Sequence, residues 1–230
     1  MTYLVAEVFI SPLTNAIIPP FTSKVGKVLV LSKKVSISPL KKGGEYLIKY
    51  SKLPRFMEVE GGEVYSFEVG GKREDVIEAL SDISDKVVFN TKWEVVDVEL
   101  REVKYELREK IDVVVKTPAL IIDPLKKSKR KRFTNFFAFT FAVNFMDHLG
   151  LTREEYKKMI IELEEKVTEE PSKVSYVTVI YAGKEIVGLV GELRYRVKKA
   201  DDGILGAIEN AIAKGIGSSR RNGFGRVEVR

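Results

Sequence analysis

The part of the chain richest in groups that can contact phosphate is the glycine-rich stretch of residues 215–225. Its glycines free the backbone for positive φ angles and close approach, and its hydroxyls, guanidinium groups and amide can donate hydrogen bonds to phosphate oxygens. These residues are Gly215, Gly217, Ser218, Ser219, Arg220, Arg221, Asn222, Gly223 and Gly225. The composition predicts an RNA- or phosphate-binding loop whose N–H groups and arginines face the ligand, and which adds little to the core. The alternative is a flexible turn, which accounts for only two of the glycines.

Residues 221–229 also match part of the RNA-recognition-motif pattern, in which a basic residue, Gly, an aromatic residue and Gly run into a strand. That pattern belongs on an interior strand with stacking aromatics and is followed by a further helix. Here no helix follows in the sequence, and the strand positions carry Arg226 and Glu228. We therefore interpret this segment as a loop and not as a stacking platform.

A second set of candidate groups is a series of lysines around the predicted first helix. Lys24 and Lys27 are three residues apart, so on a helix they share one face and can converge on a single phosphate. A solvated helix face explains the same pair equally well. A lysine with its ordinary pKa of about 10.4 serves as a cation or an acid, and as a base only when other cations lower that pKa. Weaker candidates are Lys49, Lys52 and Tyr46.

The densest positive charge lies in residues 126–132. Its members are Lys126, Lys127, Lys129, Arg130, Lys131 and Arg132. Such a run could clamp an RNA backbone with salt-dependent affinity, and we assign that role to Lys129, Arg130 and Arg132. A charge run in a loop is more often simply solvated. Cations ahead of a helix N-terminus oppose the helix dipole, however, which favours an external ligand.

The composition narrows the chemistry. The chain has 230 residues, and 39 Lys and Arg against 33 Asp and Glu give a net charge of +6, which favours polyanionic partners. It has no cysteine and one histidine, so disulfides, thiol catalysis and common zinc sites are excluded, and we predict no metal and no cofactor. His148, beside Asp147, is more typical of a helix-dipole partner than of a Ser-His-Asp arrangement or a metal ligand.

Neither a signal peptide nor a membrane span is expected. The start of the chain lacks a positive region followed by an apolar core. Residues 133–149 are apolar, but about 17 residues are short for a span and polar residues interrupt them. We interpret this stretch as a buried helix and expect a soluble cytoplasmic protein.

The order of the predicted elements indicates an α+β fold of two tandem ferredoxin-like βαββαβ domains, residues 1–95 and 96–230. In the first half we predict strands over residues 3–10, 45–50, 64–69, 86–90 and 93–107, and helices over 22–31 and 73–83. In the second half we predict strand 111–122, helices 133–149 and 152–167, a hairpin over 174–197, helix 204–214 and strand 226–229. Asp202 is the predicted cap of the last helix, and Gly215 its predicted αL end.

The glycine-rich stretch resembles a specific family signature. Residues 215–225 read G-x-G-S-x-R-x-x-G-F-G between a last helix and a terminal strand. This is similar to the loop of the repeat-associated RNA-binding superfamily, and within it to the CRISPR-associated repeat-processing endoribonucleases. Residues 19–27, PPFTSKVGK, are similar to that family's first helix. The tandem ferredoxin-like order extends the resemblance over nearly the whole chain.

The resemblance implies a metal-independent endoribonuclease that binds CRISPR repeat RNA and cuts it into guide RNAs for antiviral defence. The 2′-hydroxyl attacks the adjacent phosphate, so the site must provide proton transfer and cations. Many members place a histidine after the first helix, but residues 32–52 contain none. The catalytic candidates are then Lys24, Lys27, Lys49 and Lys52.

The missing histidine leaves an alternative, in which the chain is a noncatalytic RNA-binding subunit of a CRISPR effector complex. Repeat RNA is the expected partner in both cases. A second copy of the chain and other effector-complex subunits are further partners that the resemblance allows.

Overall fold

The computed structural model describes residues 1–50, 53, 55–126 and 134–230. The strands of the N-terminal half are β1 (Tyr3–Pro12), β2 (Ala16–Ile18), β3 (Ser36–Ile37), β4 (Lys41–Lys42), β5 (Glu45–Tyr46), β6 (Met57–Val59), β7 (Tyr65–Lys72), β8 (Lys86–Val88) and β9 (Thr91–Glu102). Its helices are α1 (Ser23–Leu29) and α2 (Arg73–Ser81).

The C-terminal half follows the same plan with longer helices. Its strands are β10 (Lys110–Ala119), β11 (Val167–Tyr181), β12 (Lys184–Val197) and β13 (Val227–Val229). Its helices are α3 (Phe137–Thr140), α4 (Ala142–Leu149), α5 (Arg153–Lys166) and α6 (Asp202–Lys214), and a 3-10 turn covers Arg220–Asn222.

Each half is an antiparallel sheet with the strand order of a ferredoxin-like unit. The first sheet has the order β5-β4-β7-β1-β9-β8, with β3 also paired to β7, and the second has the order β11-β12-β10-β13. In the first sheet, β1 is central and lies between β7 and β9. In the second sheet, β10 is central and lies between β12 and β13. The predicted α+β fold of two ferredoxin-like units is confirmed.

Three details of the predicted elements are corrected by backbone geometry. Asp201, not Asp202, caps α6, because its extended backbone lets its carboxylate accept the Ile204 N–H. Gly215 leaves α6 with φ 87° and ψ 177°, which is not the αL conformation. The strand predicted over residues 45–50 ends at Tyr46, where the Ile48 N–H turns back onto the Tyr46 carbonyl.

The apolar stretch before residue 150 forms two short helices in place of the single predicted one. Phe141, with φ −99° and ψ 7°, ends α3 and precedes α4. Phe137, Phe141 and Phe145 pack in the C-terminal core, which accounts for the apolar character of the segment. Within the described ranges, no helix is both long and apolar enough to cross a membrane.

Two hydrophobic cores divide the molecule. The N-terminal core includes Trp93 and Phe67, whereas Tyr105 and Leu107 pack against the C-terminal core. Strand β9 continues to Glu102 and pairs with β1 along most of that length. We therefore propose that the domain boundary lies within residues 103–109, on the C-terminal side of the predicted division at 95/96.

A buried cluster of charges joins the two domains. The Arg226 guanidinium lies 2.7 Å from the Glu68 carboxylate of β7, and it also donates to the Ala213 carbonyl at 2.7 Å. Lys41 and the Tyr46 hydroxyl donate to the same carboxylate at 2.9 and 2.7 Å. Burial alone would raise the pKa of Glu68, but the charges of Arg226 and Lys41 outweigh it and lower the pKa to about 2. Tyr46, a weaker catalytic candidate, is thus held in this cluster.

Removing the Glu68 charge should destabilise the junction strongly. Glu68→Gln leaves Arg226 buried without its counter-ion, so we expect a loss of about 3–5 kcal/mol in the free energy of unfolding at neutral pH. The lowered pKa of Glu68 makes its stabilisation complete above its ordinary pKa of 4.5 and lost as the pH falls towards 2. The variant should therefore be less sensitive to acid in urea titrations.

Glu63→Gln is the matched control. Glu63 pairs with Lys42 at 3.3 Å, and both side chains are nearly half exposed, so this change should cost less than about 1 kcal/mol. Equal losses for the two variants would contradict a structural role for the buried cluster.

Candidate active-site cleft and nucleic-acid interface

A cleft of about 680 Å³ opens where the two domains meet. Residues 17–21, 24, 27–28, 55–56 and 89 line it from the N-terminal domain, and residues 180–183, at the turn between β11 and β12, line it from the C-terminal domain. Its charged side chains are Lys24, Lys27 and Arg55, and none of the described residues that line it is Asp or Glu. The cleft therefore presents positive charge beside an otherwise largely apolar wall, a setting that suits an anionic ligand.

Close packing of α1 fixes the direction of its two lysines. Val25 and Leu29 are fully buried, whereas Lys24 is exposed. Gly26 allows the helix to approach the core, since a Cβ there would lie 2.8 Å from the Phe67 ring. The Thr22 hydroxyl does not cap the helix, but donates to the Leu47 carbonyl at 2.9 Å.

Lys27 is the lysine most tightly held in the cleft. Its ammonium donates to Asn222 Oδ1 at 2.5 Å and to the Tyr181 hydroxyl at 3.3 Å. Burial, and then the positive charge of Arg221, lower the pKa of Lys27. Three segments remote in sequence thus converge on one amino group at the boundary of the domains.

Tyr181 reaches this position through an aromatic cluster that spans the domain junction. Phe224 of the glycine-rich stretch stacks on Phe21 with ring centroids 4.5 Å apart, and the Tyr181 ring meets both edge-on at 5.4 and 5.7 Å. Burial raises the pKa of Tyr181, so its phenol is neutral at physiological pH. Sequence reasoning missed Tyr181, because its only visible signal was a place beside a hairpin turn.

The other predicted catalytic lysines have fewer contacts at the cleft or lie outside the described residues. The Lys24 ammonium lies 5.8 Å from the centroid of the Phe89 ring, at the same cleft. Lys49 lies at the margin, where it donates to the carbonyl of Phe56, a cleft residue. Lys52 lies outside the described residues, and so do Lys129, Arg130 and Arg132 of the basic run.

The glycine-rich stretch is packed tightly into the junction, and this corrects the prediction of a loop that adds little to the core. Gly215, Gly217, Gly223 and Gly225 are buried and all have positive φ. The Ser218 N–H donates to the Leu120 carbonyl at 2.8 Å, and the Gly225 N–H to the Pro118 carbonyl at 3.0 Å. These N–H groups are therefore not free to cradle a phosphate.

The close approach explains the glycines themselves. A Cβ on Gly217 would lie 2.6 Å from the Leu120 carbonyl oxygen, and one on Gly223 would lie 2.8 Å from the Pro39 ring. A Cβ on Gly215 would come similarly close to the backbone of Gly225, and a Cβ on Gly225 would come similarly close to the backbone next to Gly215. Their role in this structure is backbone packing at the end of β10 and against the N-terminal domain.

Arg220, a predicted phosphate ligand, is bound to groups within the protein. Its guanidinium donates to Asn210 Oδ1 at 2.9 Å and to the Asp147 carboxylate at 3.2 Å, and its side chain is only 12% exposed. Lys214 pairs with the same carboxylate at 2.7 Å. Burial would raise the pKa of Asp147, but the Arg220 and Lys214 interactions lower it to about 2. Arg220 therefore anchors α4 and α6 to the loop.

Arg221 and Ser219 are the loop residues left near the surface. Ser219 is exposed, whereas the hydroxyl of its neighbour Ser218 donates to the Leu120 carbonyl at 3.2 Å. The Arg221 guanidinium donates to the carbonyls of Leu31 and Ser32, just after α1. Here a shallow basic depression of about 360 Å³ includes Lys33 and Lys34.

His148 does not line the cleft. Its Nδ1 lies 3.0 Å from the Tyr3 hydroxyl, and burial is the main cause of its lowered pKa. Among the residues that the structure describes, no group of three or more His, Cys, Asp or Glu side chains is placed to hold a metal ion.

Comparison with known proteins bears on both halves of the chain. Residues 4–104 match the family model of the Cas6 N-terminal domain. No curated protein matches the chain in sequence.

Solved structures match over nearly the full length. An RAMP protein binding different RNA substrates is 17% identical, with a TM-score of 0.63 and 99% of both chains covered. A product complex of Thermus thermophilus Cas6 is 12% identical, with a TM-score of 0.62 and 100% of both chains covered. A Cas6 variant in which a histidine is replaced by alanine is 12% identical, with a TM-score of 0.61 and 100% of both chains covered. At these identities, the likeness establishes a shared fold.

The packing role of the loop glycines predicts a stability defect on substitution. Gly217→Ala adds a Cβ at φ 70° within 2.6 Å of a backbone oxygen, so the melting temperature should fall clearly. Gly150→Ala is the matched control, since its φ is 67° but its Cβ would meet nothing within 4 Å. The control should lower the free energy of unfolding by only about 1–2 kcal/mol, the cost of a left-handed backbone for a residue with a Cβ. Similar melting temperatures for the two variants would return the loop to the flexible-turn interpretation.

Proposed function

We propose that this chain, whose residues 4–104 match the Cas6 N-terminal domain, binds CRISPR repeat RNA and cuts it without a metal ion. The observation that carries the proposal is the position of Lys27. Its ammonium is held by Asn222 beside the Tyr181 hydroxyl, in a positively charged cleft whose described lining contains no carboxylate. The family assignment and the RNA-binding neighbour of the same fold agree with it.

In this mechanism the RNA supplies its own nucleophile. The 2′-hydroxyl attacks the adjacent phosphorus and gives up its proton to solvent. The bond from phosphorus to the 5′-oxygen breaks, the 5′-oxygen takes up a proton, and a cyclic phosphate and a 5′-hydroxyl result. Negative charge builds on the phosphate oxygens, where the ammonium groups of Lys27 and Lys24 stabilise it. A cation already fixed by Asn222 needs little reorganisation when that charge appears.

Tyr181 is suited to protonate the leaving 5′-oxygen. Burial keeps its phenol neutral, and because its oxygen accepts from Lys27, its own O–H proton is free to point towards the phosphate. The positive charges of Lys24 and Arg221 favour proton release as the leaving oxygen becomes basic. In this proposal, Lys27 and Tyr181 provide the charge stabilisation and the acid without a histidine.

Basic side chains lie near one side of the cleft. Arg221 lies close enough to lower the pKa of Lys27, and it also borders the depression that includes Lys33 and Lys34. We therefore propose that Arg221 and these two lysines hold the phosphates next to the scissile one. Phosphate contacts of this kind position the strand without reading its sequence.

A second candidate function is a noncatalytic RNA-binding subunit of a CRISPR effector complex. The observation in its favour is that residues 32–52 contain no histidine. This subunit would use the same basic side chains, but it would leave repeat RNA intact.

Cleavage of the repeat RNA of the source organism should continue in EDTA and stop after a single 2′-deoxy substitution at the cut site. The reason is that the nucleophile is the removed hydroxyl and the charge is held by side chains. Gel analysis of end-labelled RNA measures cleavage in EDTA and cleavage of the 2′-deoxy substrate. Cutting that needs magnesium would overturn the mechanism, and tight binding without any cut would favour the noncatalytic subunit.

Lys27→Ala and Tyr181→Phe should slow single-turnover cleavage by about 10- to 1,000-fold, the scale of one oriented transition-state contact. Affinity for the RNA should change much less, because both groups act mainly on charge that develops during the reaction. Lys158→Ala, an exposed lysine of α5, is the control and should leave both quantities unchanged. Wild-type rates in both cleft variants would place the chemistry elsewhere in the chain.

A further inference from the structure

The turn between β8 and β9 holds an aromatic residue in an unfavourable backbone conformation. Val88 pairs with Thr91, so Phe89 and Asn90 form a two-residue hairpin turn, and their φ angles are 52° and 63°. Such turns favour Asn and Gly, because a left-handed backbone is costly for residues with bulky side chains. Asn90 suits the turn, whereas Phe89 does not. Because Asn or Gly would fit this position without strain, the presence of Phe89 indicates a function for its ring.

The strained turn places the Phe89 ring in the wall of the cleft. Phe56 lines the same cleft from the segment before β6 and is 40% exposed. The Lys24 ammonium lies 5.8 Å from the centroid of the Phe89 ring, and Lys27 and Arg55 also line the cleft. Phe89 is partly buried against the N-terminal core, and its ring also lines the cleft. Aromatic rings beside cations match the two parts of a nucleotide, a flat base and a charged phosphate.

We propose that the cleft contains a nucleobase subsite, in which one unstacked base of a single-stranded RNA packs on Phe89 and Phe56. The phosphate of that nucleotide lies against Lys24 and Lys27. The proposal rests on the RNA-binding function proposed above and deepens it, since it names the part of the cleft that selects an unpaired nucleotide. A wholly apolar ligand fits less well, because it carries no negative charge to match Lys24, Lys27 and Arg55.

The subsite also gives the cleft a means of positioning the scissile bond. A base held on the aromatic wall fixes its sugar and phosphate relative to Lys27, whereas a base stacked in a duplex cannot enter. Cleavage should therefore require an unpaired nucleotide at the cut site. In this account Phe89 and Phe56 are positioning and specificity residues, and they take no part in proton transfer.

The test uses the full-length protein and repeat RNA that carries one 2′-deoxy nucleotide at the cut site and 2-aminopurine at one position at a time. In the wild-type protein, the fluorescence of one position should change sharply on binding, because its base stacks on the ring. Phe89→Asn removes the ring but suits the turn, so the protein should melt near the wild-type temperature. The signal at that position should disappear, and affinity should fall by about 5- to 150-fold, the range for one lost base–aromatic stack.

Asn90→Gly is the matched control, since it changes the same turn and keeps the Phe89 ring. Its RNA affinity and its 2-aminopurine fluorescence should equal those of the wild type. If wild type and Phe89→Asn bind with equal affinity and identical fluorescence at every position, the subsite is wrong while RNA binding stands. If the wild-type protein does not bind repeat RNA at all, the proposed function fails and the subsite fails with it. A melting temperature that falls with unchanged RNA binding would assign Phe89 to core packing.

Discussion

The close approach of the glycine-rich stretch to the end of β10 is the contact on which the rest of the cleft depends. The N–H groups of Ser218 and Gly225 bond to the carbonyls of Leu120 and Pro118, and a side chain on Gly217 would obstruct that contact. Because the stretch is held there, Asn222 meets Lys27 from one side of the junction. Phe224, from the same stretch, fixes the ring of Tyr181. The two groups proposed to act on phosphate are thus placed by backbone packing of the glycine-rich stretch within the C-terminal domain.

Two buried arginines show how a basic protein uses charge for architecture as well as for binding. Arg226 joins the domains through Glu68, and Arg220 ties the loop to Asp147. Buried pairs of this kind bring little net stability relative to apolar residues, but they tolerate only one geometry. We infer that Arg226 orients the junction and that Arg220 orients the loop within the C-terminal domain. The cleft itself keeps Lys24, Lys27 and Arg55, and its described lining offers them no carboxylate.

Much of the fold could be predicted from the sequence, because alternating strands and helical spacing are local patterns. The order of those elements gave both ferredoxin-like units, and the spacing of Lys24 and Lys27 indicated a shared helix face. The rest depended on contacts between remote segments. Arg220 has the composition of a phosphate ligand, and only the fold brings Asp147 to it. Tyr181 is 154 positions from Lys27, and Phe89 is distinguished by a backbone angle that the sequence does not reveal.

If the loop acts on RNA chemistry by positioning Lys27 through Asn222, the variant Asn222→Leu should impair cleavage and spare binding. Leucine keeps the size of the side chain and removes the oxygen that accepts from the ammonium at 2.5 Å. Single-turnover cleavage and equilibrium binding of repeat RNA should be measured on this variant and the wild type. Cleavage by the variant should be slower by about 10-fold or more, with nearly unchanged affinity for the RNA. Weaker binding with an unchanged rate for the bound RNA would contradict this role of Asn222, because the loop would then be a direct RNA contact.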